Sequence, residues 1–394
     1  MFNVKEEAVF IGRGGFLVIL HPEKKGKNEK DMNFCCISDE NGVVFQEKFG
    51  FLTSDLLRLV SCLQKYHAIE VAMESTSIYW MPIWRILDQY FPQKLVNPYF
   101  IKQLPGKKSD VKDAEWISTC LLKGLIRGSY VPSELIQQLR QYDRRIFDLN
   151  KEIVRKLTKL DACLQRCNIR ISNYVSNTET KSYQEVVGKL ASGICCAEEL
   201  FKCIHTRTIN KWGEETILAS LTGVVTEVDV DIISGYWEEV QLAKQHKQKY
   251  LDKMLSICKE HFPEELERLQ TIPGIKERSA TSIIAELGTD MESFETAAHL
   301  VSWTGLKPRN DESAGKIKGR RITHGNKYLR QTLIECAWAA SRTKGCFYNH
   351  FSYTQVAVRH KNKMKVQVAI ARKLLVAIWH ILHNKENYKE YTAH

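Results

Sequence analysis

A chain of 394 residues, 44% hydrophobic and 26% charged, is long enough for two or three globular domains and a large buried core. Lysine and arginine outnumber aspartate and glutamate 57 to 46, giving a net charge of +11 and a pI near 9.0. That balance points to an anionic partner, with nucleic acid first and an acidic membrane surface second. No apolar run reads as the ~18–20 residues of a membrane span, and the first residues lack the pattern of a signal peptide. The expectation is a cytoplasmic protein with no membrane partner. The cysteines show no CxxC pairing: Cys35-Cys36 and Cys195-Cys196 are adjacent, and Cys163 and Cys167 lie one helical turn apart. They read as reduced, mostly buried thiols. Cys196, Cys203 and His205 are poorly spaced for zinc.

The N-terminal part alternates strands and helices. Gly15 to Leu20 reads as a buried strand, Asn33 to Ser38 and Val43 to Phe49 as two more joined by the turn Asp39-Glu-Asn-Gly42. A helix is expected from Ser54 to Lys65, with Leu56, Leu57, Val60 and Leu63 on one face. Ala68 to Met73 is a fourth strand that ends on Glu74. An aromatic-rich helix covers Tyr79 to Tyr90, and Lys94 to Asn97 forms a short fifth strand stopped by Pro98. Ser109 is a suitable N-cap for a helix reaching Lys123, on which Asp110 and Asp113 share one face. Three strands, helix, strand, helix, strand, helix suits an RNase H-like sheet. In that fold carboxylates on the first strand, the fourth strand and a late helix converge at one edge. Oxygen ligands so gathered bind Mg²⁺ and act on phosphodiesters. Helix-dipole stabilisation alone would account for Asp110 and Asp113, but not for a glutamate closing a hydrophobic strand.

From Glu134 to Cys167 apolar residues recur at steps of three and four, from Leu135, Leu139 and Tyr142 through Ile146, Leu149 and Ile153 to Leu157, Leu160 and Leu164. This predicts one long helix with a coiled-coil seam, which needs a hairpin partner or a second copy of the chain. Residues 172–189 read as a loop. Helical segments run from 184 to 260, with breaks near Gly193, Gly213, Gly223 and Gly235. Around Thr271-Ile-Pro-Gly-Ile-Lys276 the pattern is helix, hairpin, helix, an arrangement that offers hairpin N–H groups to a DNA phosphate. Lys276 stands where such hairpins usually carry a second glycine, and adds a cation. Met291 to Trp303 reads as a helix, as do Asn326 to Ser341 and Asn362 to His383.

Between 307 and 330 lie Lys307, Arg309, Lys316, Lys318, Arg320, Arg321, Lys327 and Arg330, opposed only by Asp311 and Glu312. Ser313, followed by Ala314 and Gly315, sits inside this basic loop. Small neighbours let a bulky group approach a hydroxyl, and dense cations fit a polyanion and stabilise charge on a phosphate under attack.

Several stretches in order resemble one family: Met73-Glu-Ser-Thr-Ser-Ile-Tyr-Trp80, Val96-Asn-Pro98, Lys108-Ser-Asp-Val-Lys-Asp-Ala-Glu-Trp116, Thr271-Ile-Pro-Gly274, Ala285-Glu-Leu-Gly288, Trp303-Thr-Gly-Leu-Lys-Pro308, Glu312-Ser-Ala-Gly-Lys316 and Gly325-Asn-Lys-Tyr-Leu-Arg330. The chain resembles transposases of the insertion-sequence one-hundred-and-ten family over nearly its whole length. The resemblance implies a RuvC-like domain carrying an Asp-Glu-Asp-Asp metal set, a coiled coil, and a C-terminal domain with a nucleophilic serine. A bridge RNA encoded by the element pairs with donor and target DNA. Carried over residue by residue, Glu74, Asp110 and Asp113 hold Mg²⁺ (or Mn²⁺), and Ser313 is the nucleophile. Gly274, Lys276, Lys316, Lys318, Arg320, Arg321, Lys327 and Arg330 contact nucleic acid. One departure stands out. His21 falls where the first aspartate is expected; either His21 or Asp31 completes the set, or the set is one ligand short.

The expected fold class is therefore α/β plus all-α. It comprises an RNase H-like (RuvC-like) mixed sheet with helices over 1–130, a coiled-coil and helical linker over 131–262, and a helical C-terminal serine domain with a helix-hairpin-helix over 263–394. The expected activity is DNA strand transfer by a homo-oligomer, dimer or tetramer, because metal site and serine lie in different domains and meet most simply from different protomers. Two alternatives follow from the same residues. A Holliday-junction-resolvase-like nuclease would use the carboxylates alone, and a catalytically impaired remnant would bind nucleic acid without cutting it.

Overall fold

The computed structural model describes residues 16–23, 32–39, 42–75, 78–97, 128–309, 311–313, 316–319 and 321–390, and divides into compact units at residues 1–131 and 132–394.

In the first unit five strands, β1 (Phe16–Glu23), β2 (Met32–Asp39), β3 (Gly42–Gly50), β4 (Ala68–Glu74) and β5 (Gln93–Val96), form one sheet in the order β3-β2-β1-β4-β5. β1 pairs antiparallel with β2, and β2 with β3; β1–β4 and β4–β5 are parallel. The parallel pairs need crossovers. One is α1 (Thr53–Lys65), the other α2 (Trp80–Leu87). Alternation along the strands puts Cys35, Ile37, Phe49, Val71, Met73 and Leu95 into one cluster with Leu56, Leu59, Val60 and Leu63 of α1 and Ile83 and Leu87 of α2. Leu57, expected on that apolar face, is exposed, and Leu59 takes its place. The expected helix at 109–123 lies outside the described residues.

The second unit opens with α3 (Glu134–Arg166), as the periodicity predicts. Its buried stripe runs Ile136, Leu139, Asp143, Ile146, Leu149, Ile153, Leu157, Leu160, Leu164, and its partner is α8 (Glu227–His261) of the same chain. Arg166 with Asp229, Lys156 with Glu239 and Tyr142 with Tyr250 fix an antiparallel pairing. α8 passes through Gly235 unbroken, where a break was expected. Gly235 costs roughly 1 kcal/mol against alanine, less than the burial of Ile233, Val240 and Ala243 returns. Between these two helices come α4 (Lys181–Ala191), α5 (Ala197–Phe201), α6 (Thr206–Trp212) and α7 (Glu214–Leu221). α4 occupies part of the stretch read as a loop, because Tyr183, Val186, Val187 and Leu190 supply a buried face.

The remainder packs on the start of α3: α9 (Pro263–Gln270), α10 (Glu277–Leu287), α11 (Ala297–Thr304), α12 (Lys327–Ala340), α13 (Phe347–Tyr353) and α14 (Lys363–Asn384). α11 starts six residues later than expected, since the side chain of Thr296 caps it by accepting from His299 N–H. α14 corrects the expectation of no span-length apolar run. It is long and apolar enough to cross a membrane by length and composition. Val366, Ile370, Leu374, Leu375 and Ile378 are instead buried in this unit's core.

Candidate functional site

Glu74 is the last residue of β4, opposite Val96 of β5. Val71 and Met73 face the core shared with α1 and α2; by strand alternation Glu74 takes the other face and is half-buried. β1 runs parallel beside it, with Leu20 opposite Met73. His21 and Glu74 are thus the next residues along two neighbouring parallel strands, at their carboxyl ends, where open α/β sheets bind ligands. Asp31, Asp110 and Asp113 lie outside the described residues. Among the described residues no group of three His, Cys, Asp or Glu side chains is arranged to hold a metal.

Ser313 was expected in a loop. The backbone instead makes it the last residue of β6 (Asp311–Ser313), paired antiparallel with β7 (Lys316–Gly319), Ser313 opposite Lys316. Two short runs separated by two residues, one of them glycine, is hairpin chemistry; the density of charge obscured it. The pairing continues below: Arg309 N–H donates to Arg321 O (2.8 Å) and Thr323 N–H to Lys307 O (3.0 Å). Lys316 and Lys318 lie on β7, Arg320 is outside the described residues, and Arg321 is exposed just beyond.

Two glycines close the neck of this ribbon. Gly305, at φ +77, ends α11, and a Cβ there would meet Gly325 N and Thr323 O at 2.8 Å. A Cβ on Gly325 would collide with Thr304 and Gly305. The Trp303-Thr-Gly and Gly325-Asn stretches, twenty residues apart in sequence, thus cross backbone to backbone.

Asn326 follows as N-cap of α12, its Oδ1 accepting from Tyr328 and Leu329 N–H (3.0 and 3.1 Å). Its Nδ2 donates to Glu286 Oε2 at 2.7 Å. Glu286, on α10, is fully buried. It is also held by Arg144 (3.1 Å) and Arg140 (3.7 Å), one turn apart on α3. Arg140 Nη2 further donates to the Glu286 carbonyl (2.7 Å), and Arg144 lies over the Tyr328 ring at 4.7 Å. A buried carboxylate with two guanidiniums and an amide ties three helices to the foot of the basic ribbon. Sequence reading singled out Ala285-Glu-Leu-Gly288 and Gly325-Asn without giving Glu286 or Asn326 a role. The signal was the i, i+4 spacing of Arg140 and Arg144 on a helix face otherwise destined for burial. Lys327 and Arg330 lie on the first turn of α12, which carries no acid.

The Thr271–Lys276 turn joins α9 to α10. Gly274 has φ +85, and a Cβ would meet Ala340 N at 2.5 Å and Cys336 O at 2.6 Å, so this turn lies flush on the end of α12. Lys276 is exposed, and its N–H donates to Ser279 Oγ (2.9 Å). A cavity of about 240 Å³ is lined by Lys276, Arg278, Tyr328, Glu335 and Asp143. Burial raises the Asp143 carboxyl to about 6, reinforced by the Glu286 charge and opposed by a hydrogen bond from Ser282 and by Arg144 and Arg278.

The first unit thus places a carboxylate at the end of a strand, and the second places a serine on a short ribbon. Residues 28–169 match a DEDD-type transposase profile of the IS110 kind, and residues 266–352 match the profile described as "Transposase IS116/IS110/IS902 family". The chain is 23% identical over 308 residues to the transposase for insertion sequence element IS1111A of Coxiella burnetii, covering 76% of this chain and 73% of that one. It is 24% identical over 341 residues to the putative transposase y4pF/y4sB of Sinorhizobium fredii, covering 84% and 77%. It is 30% identical over 122 residues to the pilin gene-inverting protein of Moraxella bovis, covering 30% and 37%. The serine ribbon, its glycine neck and the Glu286–Asn326 anchor all fall inside the second matched stretch, and the sheet from β2 onward with Glu74 inside the first. The chain belongs to the IS110/IS116/IS902 family of transposases and is an enzyme of DNA transposition.

Proposed function

We propose that this transposase cuts and rejoins DNA through a phosphoserine intermediate at Ser313. Ser313 Oγ attacks a backbone phosphorus; an Oγ–P bond forms, the P–O bond to one sugar breaks, and that sugar oxygen leaves as a hydroxyl once protonated. The reverse step, with a hydroxyl from the partner strand, restores a diester and releases the serine. The cations flanking Ser313 offset charge on the phosphate as it becomes pentavalent. The observation that supports this reading is the backbone position of Ser313, beside the turn of a ribbon clamped at its neck by Gly305 and Gly325.

The sheet of the first unit reads as RNase H-like, with Glu74, Asp110 and Asp113 as ligands of a Mg²⁺ (or Mn²⁺) ion. Glu74 is an oxygen donor, suited to a hard cation, and His21 stands at the strand position beside it. When bound, the ion would supply Lewis-acid stabilisation of the phosphate. In this reading residues 1–130 are the RuvC-like domain, 131–262 the helical linker and 263–394 the serine domain. The turn at Thr271–Lys276 is a helix-hairpin-helix, and Gly274, Lys276, Lys316, Lys318, Arg320, Arg321, Lys327 and Arg330 track nucleic-acid backbones. Donor and target DNA are selected by a guide RNA through base pairing, and the protein works in the cytoplasm as a homo-oligomer. Ser313→Ala and Glu74→Ala should each abolish strand exchange while DNA binding survives. If Ser313→Ala still cuts as wild type does, a resolvase-like metal-and-water mechanism replaces this one.

A further inference from the structure

From Cys336 to Lys385 the chain contains no aspartate or glutamate, yet it carries nine lysines and arginines. Six of them, Arg342, Lys344, Arg359, Lys361, Lys363 and Lys365, are exposed and fall in the chain between the end of α12 and the first turn of α14. We propose that this cationic surface is a docking site for the phosphate backbone of duplex DNA, separate from the serine ribbon. The proposal rests on the chain's being a DNA transposase and not on the serine mechanism.

Four observations carry it. First, two elements present their cations together. Arg342 of the turn after α12 and Lys363 of α14 both lie over the Trp338 ring, at 5.7 and 5.1 Å, and Gln367 of α14 donates to Ser341 Oγ at 3.3 Å. Second, among the described residues none of the six has a carboxylate within 4 Å, although lysines elsewhere, such as Lys156, Lys189 and Lys259, are paired with glutamates. Third, Lys363 and Lys365 fall in the first turn of α14, where a cation opposes the helix dipole and costs about 0.3–1 kcal/mol. The Asn362 side chain already accepts from Met364 and Lys365 N–H, so the helix end is closed and the side-chain charges are what remains for an anion. Fourth, the surface continues from the Thr271–Lys276 turn, since Gly274 rests on Ala340, two residues before Arg342. A run of such cations follows a polyphosphate. The Trp338 ring is occupied by cations and offers no platform for an unpaired base, which favours duplex over single strand. Arg359 to Lys365 lie beyond the matched stretch 266–352, so the transposase profile does not account for them.

The test is a salt series of duplex binding, read by fluorescence anisotropy, on the full chain in a Ser313→Ala background so that no strand chemistry intervenes. Lys361→Gln/Lys363→Gln/Lys365→Gln should lower the slope of log K against log salt by about 2–3, at ~0.9 per phosphate contact. Binding should weaken equally for unrelated duplex sequences. Lys156→Gln/Lys189→Gln/Lys259→Gln changes net charge by the same amount at paired sites and should leave the slope near its starting value. If the first triple variant melts early, Arg342→Gln/Arg359→Gln replaces it, with an expected fall of about 2. An unchanged slope, an equal fall in the control, or a loss confined to a structured RNA of the same length overturns the proposal. None of these outcomes bears on whether Ser313 is the nucleophile.

Discussion

At the scale of single residues, the informative groups are the buried charges that no periodicity predicts. Asp143 sits in the apolar stripe of α3, and its carboxyl, ordinarily near 3.8, is raised to about 6 by burial. A carboxyl whose folded value is raised binds its proton more tightly in the native state, so it lowers stability as pH climbs from about 4 to about 6. Asp143→Asn should therefore stabilise the protein at pH 7 by about 3 kcal/mol and by almost nothing at pH 4. Melting curves of variant and wild type across that range check it; a difference independent of pH would place the effect in packing instead. Glu286 is the opposite case, a fully buried carboxylate that is paired. Glu286→Ala leaves Arg140 and Arg144 without their acceptor and removes the partner of Asn326. The expected loss is about 3–5 kcal/mol, seen as an earlier melt.

At the scale of elements, the strands of the sheet were legible because alternation and turn residues agree there, and α3 because its three-and-four spacing persists for over thirty residues. Glu74 stands out in the sequence for a local reason: core packing does not call for a carboxylate at the end of a hydrophobic strand. The serine ribbon was not legible, since strands of three and four residues leave too little alternation to read beneath so many lysines. The Glu286 anchor was not either, because it joins three helices distant in sequence. Glycine misled in one place and informed in another. Gly235 reads as a helix break in the sequence, yet it is exposed in mid-helix with open space around it. Gly235→Ala should raise stability by about 0.5–1 kcal/mol. Gly305→Ala should do the reverse, because φ +77 and the Gly325 backbone leave no room. If circular dichroism melts show Gly305→Ala unaltered, the ribbon neck is not clamped as described.

At the scale of the whole molecule, charge and the long helix pair set the behaviour. With a net charge of +11, affinity for DNA should fall by about 10³ between 50 and 200 mM salt if six or more phosphates are contacted; a flat dependence would contradict a backbone-driven encounter. The α3 seam was expected to need either a hairpin partner or a second chain, and it is covered by α8 of the same chain. Leu149→Asp, at a buried seam position, should accordingly cost about 3 kcal/mol or more and lower the melting temperature without converting an oligomer to monomer. The covalent role of Ser313 is open to one direct measurement. Wild-type protein is incubated with a DNA substrate that halts after cleavage, denatured, digested and analysed by mass spectrometry. A nucleotide-bearing peptide modified at Ser313, absent from the Ser313→Ala protein although that variant still binds DNA, is the predicted result. Cleaved DNA with no protein attached in either sample would contradict it.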